Sequence, residues 1–108
     1  MTWQAPHDVR ETTKEVLIWI DMPGVDEDEI SILRNGPDVE ISVVRDFDHD
    51  QEDAEEFSVI NRPFGEFRCL VTMPDNAQID GMTAKYRRGV LKVRVPRKAQ
   101  ERTSAVAK

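Results

Sequence analysis

The feature that most constrains this 108-residue chain is the brevity of its apolar clusters, each cut short by a proline or glycine turn. Val16-Leu17-Ile18-Trp19-Ile20 runs straight into Asp21-Met22-Pro23-Gly24. Ile30-Ser31-Ile32-Leu33 meets the turn Arg34-Asn35-Gly36-Pro37-Asp38, after which Val39-Glu40-Ile41-Ser42-Val43 alternates at the two-residue period of a strand. The pattern predicts a hairpin of residues 30–33 with 39–44. Phe57-Ser58-Val59-Ile60 is a further short strand candidate, isolated ahead of Pro63, and residues 67–73 stop at Pro74. Met82-Thr83-Ala84-Lys85-Tyr86 leads to Arg88-Gly89, and Leu91, Val93 and Val95 then share one face while Lys92 and Arg94 take the other. A helical turn could start at Asp26, but no window longer than about ten residues keeps a helical period. About seven or eight short strands at fairly regular spacing predict an all-β, antiparallel sandwich of the immunoglobulin-like kind.

Composition narrows the partners. With 15 Lys+Arg against 21 Asp+Glu the formal net charge is −6, and the pI near 4.9 opposes attraction to phosphate backbones and anionic lipid. Neither a nucleic-acid nor a membrane partner is expected. The single cysteine, Cys69, excludes an intrachain disulfide and the disulfide-stapled secreted class. The longest uncharged apolar run, from Val16 to Ile20, is far too short to span a bilayer, and no basic-then-apolar leader is visible at the N-terminus. A protein of the reducing cytoplasm is expected. One domain is the natural reading, with residues 1–6 as a short arm, 7–97 as the sandwich and 98–108 as a polar tail.

Little points to chemistry. His7 and His49 have no partner in a nucleophile motif, the glycines stand singly at turns, and Cys69 reads as a small buried hydrophobe within a strand. Residues 46–56 hold seven acids in eleven positions and read as a solvated loop. Within it Asp46, Asp48 and Asp50 imitate the first ligands of a calcium loop, yet Gln51 stands where such a loop needs Gly and Phe57 where it needs a bidentate Glu. No catalytic, cofactor or metal site is expected. What remains is apolar edge surface, and the loop together with residues 57–60 is either an arm that leaves its own fold or an edge strand of its own sheet.

A second layer of signal is a motif set. Ala84-Lys85-Tyr86-Arg87-Arg88-Gly89-Val90-Leu91 matches the Ala-x-x-x-x-Gly-Val-Leu motif of the small heat shock proteins, with Ala84, Gly89, Val90 and Leu91 at its fixed positions. Asp21-Met22-Pro23-Gly24-Val25, Pro63-Phe64-Gly65-x-Phe67, Met73-Pro74 and Val95-Pro96-Arg97 are similar to the other landmarks of that family's α-crystallin domain, in order. The resemblance implies a sandwich of seven to nine strands that binds unfolded or partly unfolded client proteins without ATP or other cofactor and is not an enzyme. It also implies a homodimer in which residues 57–62 cross to a partner, so that Phe57, Val59, Ile60 and Arg62 meet His7 and Val9 of the first main strand. A client or peptide groove would be lined by Ile30 and Ile32 on one side and by Met82, Ala84 and Tyr86 on the other, although each of these could equally be an interior core residue. The family often places Arg where Cys69 stands, and any ion pair made by that Arg is missing here. Residues 99–108 lack the family's Ile-x-Ile/Val tail and only residues 1–6 precede the domain, so a dimer is expected rather than a large cage. A specific protein-binding module on a similar fold, comparable to co-chaperones with a CS domain, is the alternative.

Overall fold

Period-two alternation becomes burial at period two. The computed structural model describes residues 2–46 and 57–99, and within them eight strands form two four-stranded sheets. The strands are β1 (Thr2–Gln4), β2 (His7–Glu11), β3 (Glu15–Asp21), β4 (Ser31–Asn35), β5 (Asp38–Arg45), β6 (Gly65–Thr72), β7 (Thr83–Arg87) and β8 (Val90–Pro96). One sheet has the order β1-β6-β5-β4 and the other β2-β3-β8-β7. All pairings are antiparallel except that of β1 with β6.

The core lies between the sheets. Val16, Ile18 and Ile20 of β3, Val93 and Val95 of β8, and Val39 and Ile41 of β5 are each at most 1% exposed. Burying an aliphatic side chain of this size contributes roughly 1.5–3 kcal/mol, and Met22, Val43, Cys69, Met73, Ile79 and Leu91 belong to the same cluster. The opposite faces turn to solvent and rely on long side chains for cover. Leu17 sits between Arg10 and Arg94 in register, and Lys92 places its Nζ 5.6 Å from the centroid of the Trp19 ring. Arg94 donates from Nε to Glu15 Oε1 at 2.6 Å.

The predicted hairpin is present, as β4 and β5 with Gly36 and Pro37 at its tip. The turn expected at Asp26 is a single 3-10 turn, Glu27–Glu29, in which Glu29 Oε1 accepts from the Asp26 N–H at 3.3 Å. Two placements add to the sequence reading. Residues 2–4, within the short arm, form a parallel strand on β6, where Trp3 stacks on Phe67 with centroids 6.3 Å apart and donates from Nε1 to the Phe64 carbonyl at 2.8 Å. Residues 57–60 form no strand in the chain's own sheets. Both sides of β6, the strand that follows them, are already taken, by β5 and by β1. The acidic stretch beyond Asp46, with His49, Asp48 and Asp50, lies outside the described residues, as does the tail from residue 100. Lys98 at the tail's root is tied down: its N–H donates to the Asn76 carbonyl and its carbonyl accepts from Asn76 Nδ2, both at 2.8 Å.

The β7–β8 turn explains the Gly-Val-Leu element. Arg88 and Gly89 both have positive φ, 54° and 79°, as a two-residue hairpin of the twist-matching kind demands. A Cβ on Gly89 would sit 3.3 Å from Pro23 Cα, and the Met22 N–H donates to the Gly89 carbonyl at 2.8 Å. The Asp21-Met22-Pro23-Gly24 turn and the Arg88-Gly89 turn are thus one packed unit. Gly89→Ala is expected to destabilise the fold by about 1–3 kcal/mol, read as a lowered urea midpoint at unchanged slope.

Cys69 behaves as the sequence reading expects. It lies opposite Ile41 at 1% exposure, and burial pushes its thiol from 9.0 up to about 11. The neutral thiol is therefore the form the fold keeps. Between pH 9 and 11 the unfolded chain loses this proton before the folded chain does, so stability is full below pH 9 and falls as pH rises through that window. The loss at pH 11 should be about 2 kcal/mol, and a Cys69→Ala variant should lack that component of the pH dependence in paired urea titrations.

Candidate functional site

An edge strand presents inward-facing side chains with a neighbour on one side only. In the second sheet β7 is such an edge, and its register with β8 sets Ala84 opposite Val93 and Tyr86 opposite Leu91. Cross-strand partners share a face, so Ala84 and Tyr86 point the way the buried Val93 and Leu91 point. In the first sheet β4 is the edge, with Ile32 opposite the fully buried Ile41. The two edges lie on the same side of the sandwich: Arg34 of β4 donates from Nη1 to Asp80 Oδ1 at 3.0 Å, and Asp80 belongs to the 3-10 turn Ile79–Gly81 just ahead of β7.

Between them the sandwich is not closed. Ile30, Ile32, Met82 and Tyr86 are half-buried and packed against the core, whereas Ala84 remains exposed although its cross-strand partner is 0% exposed. Tyr86 is fixed by its hydroxyl, which donates to the Met22 carbonyl at 2.6 Å. Around the Arg34–Asp80 link lies an open depression of about 550 Å³, lined also by Ala77, Gln78, Ile79, Gly81 and Pro96. Of the five residues named from sequence as a groove, Ile32, Ala84 and Tyr86 stand on the two edge strands and Ile30 and Met82 immediately precede them.

The opposite side carries the other candidate set. β2 is the end strand of its sheet, and Val9 pairs with the fully buried Ile18, yet Val9 is 45% exposed. His7 lies two pairs along, opposite Ile20, and donates from Nδ1 to the Ala5 carbonyl at 2.8 Å. Val59 and Ile60, in the segment without strand structure, are 69% and 44% exposed. Within the single chain this segment and β2 are not brought into register.

The remaining polar clusters are structural. A second hollow of about 420 Å³ is lined by Thr13, Lys14, Asn76, Arg97 and Ala99. Arg97 there already donates to Asn76 Oδ1 at 2.9 Å and to the Thr12 carbonyl at 2.7 Å, closing that end of the sandwich. Among the described residues no group of three or more His, Cys, Asp and Glu side chains gathers as a metal site, and no helix is long and apolar enough to cross a membrane. Two features went unread in the sequence. One is the Arg34–Asp80 link across the gap. The other is the set of exposed cations on the outer face of β7, for which the signal was available: residues 81–100 contain no Asp or Glu.

The profile of the Hsp20/alpha crystallin family matches residues 8–108. Spore protein SP21 of Stigmatella aurantiaca is 32% identical over 93 residues, covering 86% of this chain and 54% of that protein. The 17.7 kDa class II heat shock protein of Arabidopsis thaliana is 32% identical over 93 residues, covering 85% of this chain and 60% of that protein. The chain thus spans between 54% and 60% of the length of these two relatives. Among solved structures, a small heat-shock protein from Xylella fastidiosa superposes with a TM-score of 0.83 at 27% identity, over 98% of this chain and 96% of that one. The hspA of Xanthomonas axonopodis gives a TM-score of 0.80 at 31% identity, over 92% of this chain and 98% of that one. With its sandwich, its Ala84-to-Leu91 motif and a family match that runs from β2 through the last strand, the chain belongs to the Hsp20/alpha crystallin family, the small heat shock proteins.

Proposed function

We propose that the chain acts as an ATP-independent holdase, which covers the apolar segments of unfolding proteins and so keeps them from aggregating. The observation that carries this reading is the unclosed gap between β4 and β7, where Ile30, Ile32, Met82 and Tyr86 are half-buried beside the exposed Ala84. Apolar surface beside two unpaired strand edges is what an extended foreign chain can use, because it gains backbone pairing and apolar burial together. No bond is made or broken and no cofactor takes part. A client segment burying about 1,000 Å² gains about 25 kcal/mol gross at 25 cal/mol/Å², most of which is lost to ordering the client, so binding is broad and reversible.

The working unit is a homodimer built by exchange of residues 57–62. Phe57, Val59, Ile60 and Arg62 of one subunit lie along β2 of the other, beside His7 and Val9. Support comes from complementary incompleteness: Val9 is an inward-facing side chain at an end strand, 45% exposed, and Val59 is 69% exposed. Residues 7–97 are the body that does the binding, and the protein works in the cytoplasm among unfolding chains, without nucleic acid or membrane as partner.

In a thermal aggregation assay, substoichiometric to equimolar protein should suppress light scattering by a heated client without nucleotide. Inertness across several unrelated clients would replace this reading with that of a module for one specific partner. Light scattering behind a sizing column should give the mass of a dimer. Removing residues 52–62, or the double change Val59→Asp and Ile60→Asp, should give folded monomers by the same measurement, and a surviving dimer would exclude the exchange.

A further inference from the structure

Charge on this chain is unevenly placed. Its net charge is −6, yet Lys and Arg recur without a single acid through residues 81–100. The register of β7 with β8 sorts these cations by face. Ala84 and Tyr86 pair with the buried Val93 and Leu91 and point inward, so Thr83, Lys85 and Arg87 point outward, across from Arg94, Lys92 and Val90. Arg94 is engaged by Glu15 and Lys92 lies over Trp19. Lys85 and Arg87 are exposed, and among the described residues no carboxylate pairs with either.

β7 is also the last strand of its sheet, so a chain added at this edge continues the ladder. An added strand must alternate: one residue turns inward over Ala84 and Tyr86, the next outward beside Lys85 and Arg87, with the pattern repeating about every 6.8 Å. The inward face rewards apolar side chains; the outward face rewards negative ones. We propose that the β7 edge selects extended polypeptide segments in which apolar residues alternate with acidic ones, the acidic side chains lying beside Lys85 and Arg87. The proposal rests on the holdase reading and names the class of client segment that this edge takes. A polynucleotide could meet the cations but offers neither strand pairing nor alternating apolar groups, and the overall negative charge opposes its approach.

The test uses the full 108-residue chain and three soluble fluorescent peptides of equal length, in which Val alternates with Glu, with Gln or with Lys. Fluorescence anisotropy at low salt should rank them Glu, Gln, Lys, with the Glu peptide about three- to tenfold tighter than the Gln peptide, as two exposed charge pairs allow. The advantage should shrink at about 0.5 M salt, where screening shortens its range. In the double variant Lys85→Glu with Arg87→Glu, whose circular dichroism should match the parent because both side chains are exposed, the order should invert. Equal affinities, an order unchanged in the variant, or an oligothymidine that binds more tightly than the Glu peptide would overturn the proposal. Aggregation suppression by the same preparations is the separate readout: if it persists while the peptides show no charge preference, the holdase reading stands and the proposed selectivity falls.

Discussion

A two-layer sandwich of four-stranded sheets can bury its middle strands completely but not its outer ones. β3, β8 and β5 have neighbours on both sides, and their inward residues Ile18, Val93 and Ile41 are 0% exposed. The outer strands carry the same inward pattern with half the cover, so Val9 on β2 and Ala84 on β7 stay open although each pairs with a buried residue. The exposed apolar surface of the outer strands is thus a consequence of finite sheet width. It is positioned by the same register that fills the core, which is why a one-residue slip would destroy both together.

Turn packing fixes that register. Met22, from the turn after β3, donates its N–H to the Gly89 carbonyl and accepts from the Tyr86 hydroxyl. One residue therefore links the first long strand, the β7–β8 hairpin and the inward-facing side chain that borders the gap. The positive φ at Gly89 and the absence of a Cβ there let Pro23 approach closely enough for this arrangement. The motif is thereby explained by geometry at the edge rather than by any reactive group.

Most of the middle of the fold was legible because alternation is a local signal. Val39-Glu40-Ile41 and Leu91-Lys92-Val93 announce their strand and their inner face without help from the rest of the chain. Strand β1 was not legible, since three residues cannot show a period; its stability comes from Trp3 on Phe67, a contact 64 positions apart in sequence. Residues 57–60 have strand composition and no strand structure, because composition reports what a segment prefers and not whether an edge is available to it. The gap-lining residues were legible as apolar but not as core or edge, a distinction set by sheet order, which only long-range pairing determines.

An open edge is dangerous to its owner, since it can pair with the same edge of a second copy. Here the edges carry charge on the face that the core does not use: Lys85 and Arg87 on β7, Asp8 and Arg10 on β2. If two β7 edges approached each other, the four cations would be brought together on one face, and like charges placed opposite across strands destabilise the pair. The inward residues of β7 do not discriminate in this way, because Ala84 and Tyr86 accept apolar side chains from any source. Self-avoidance and selectivity are then the same electrostatic term with opposite signs. The charges that disfavour pairing with the chain's own edge are those that a strand of opposite charge would complement.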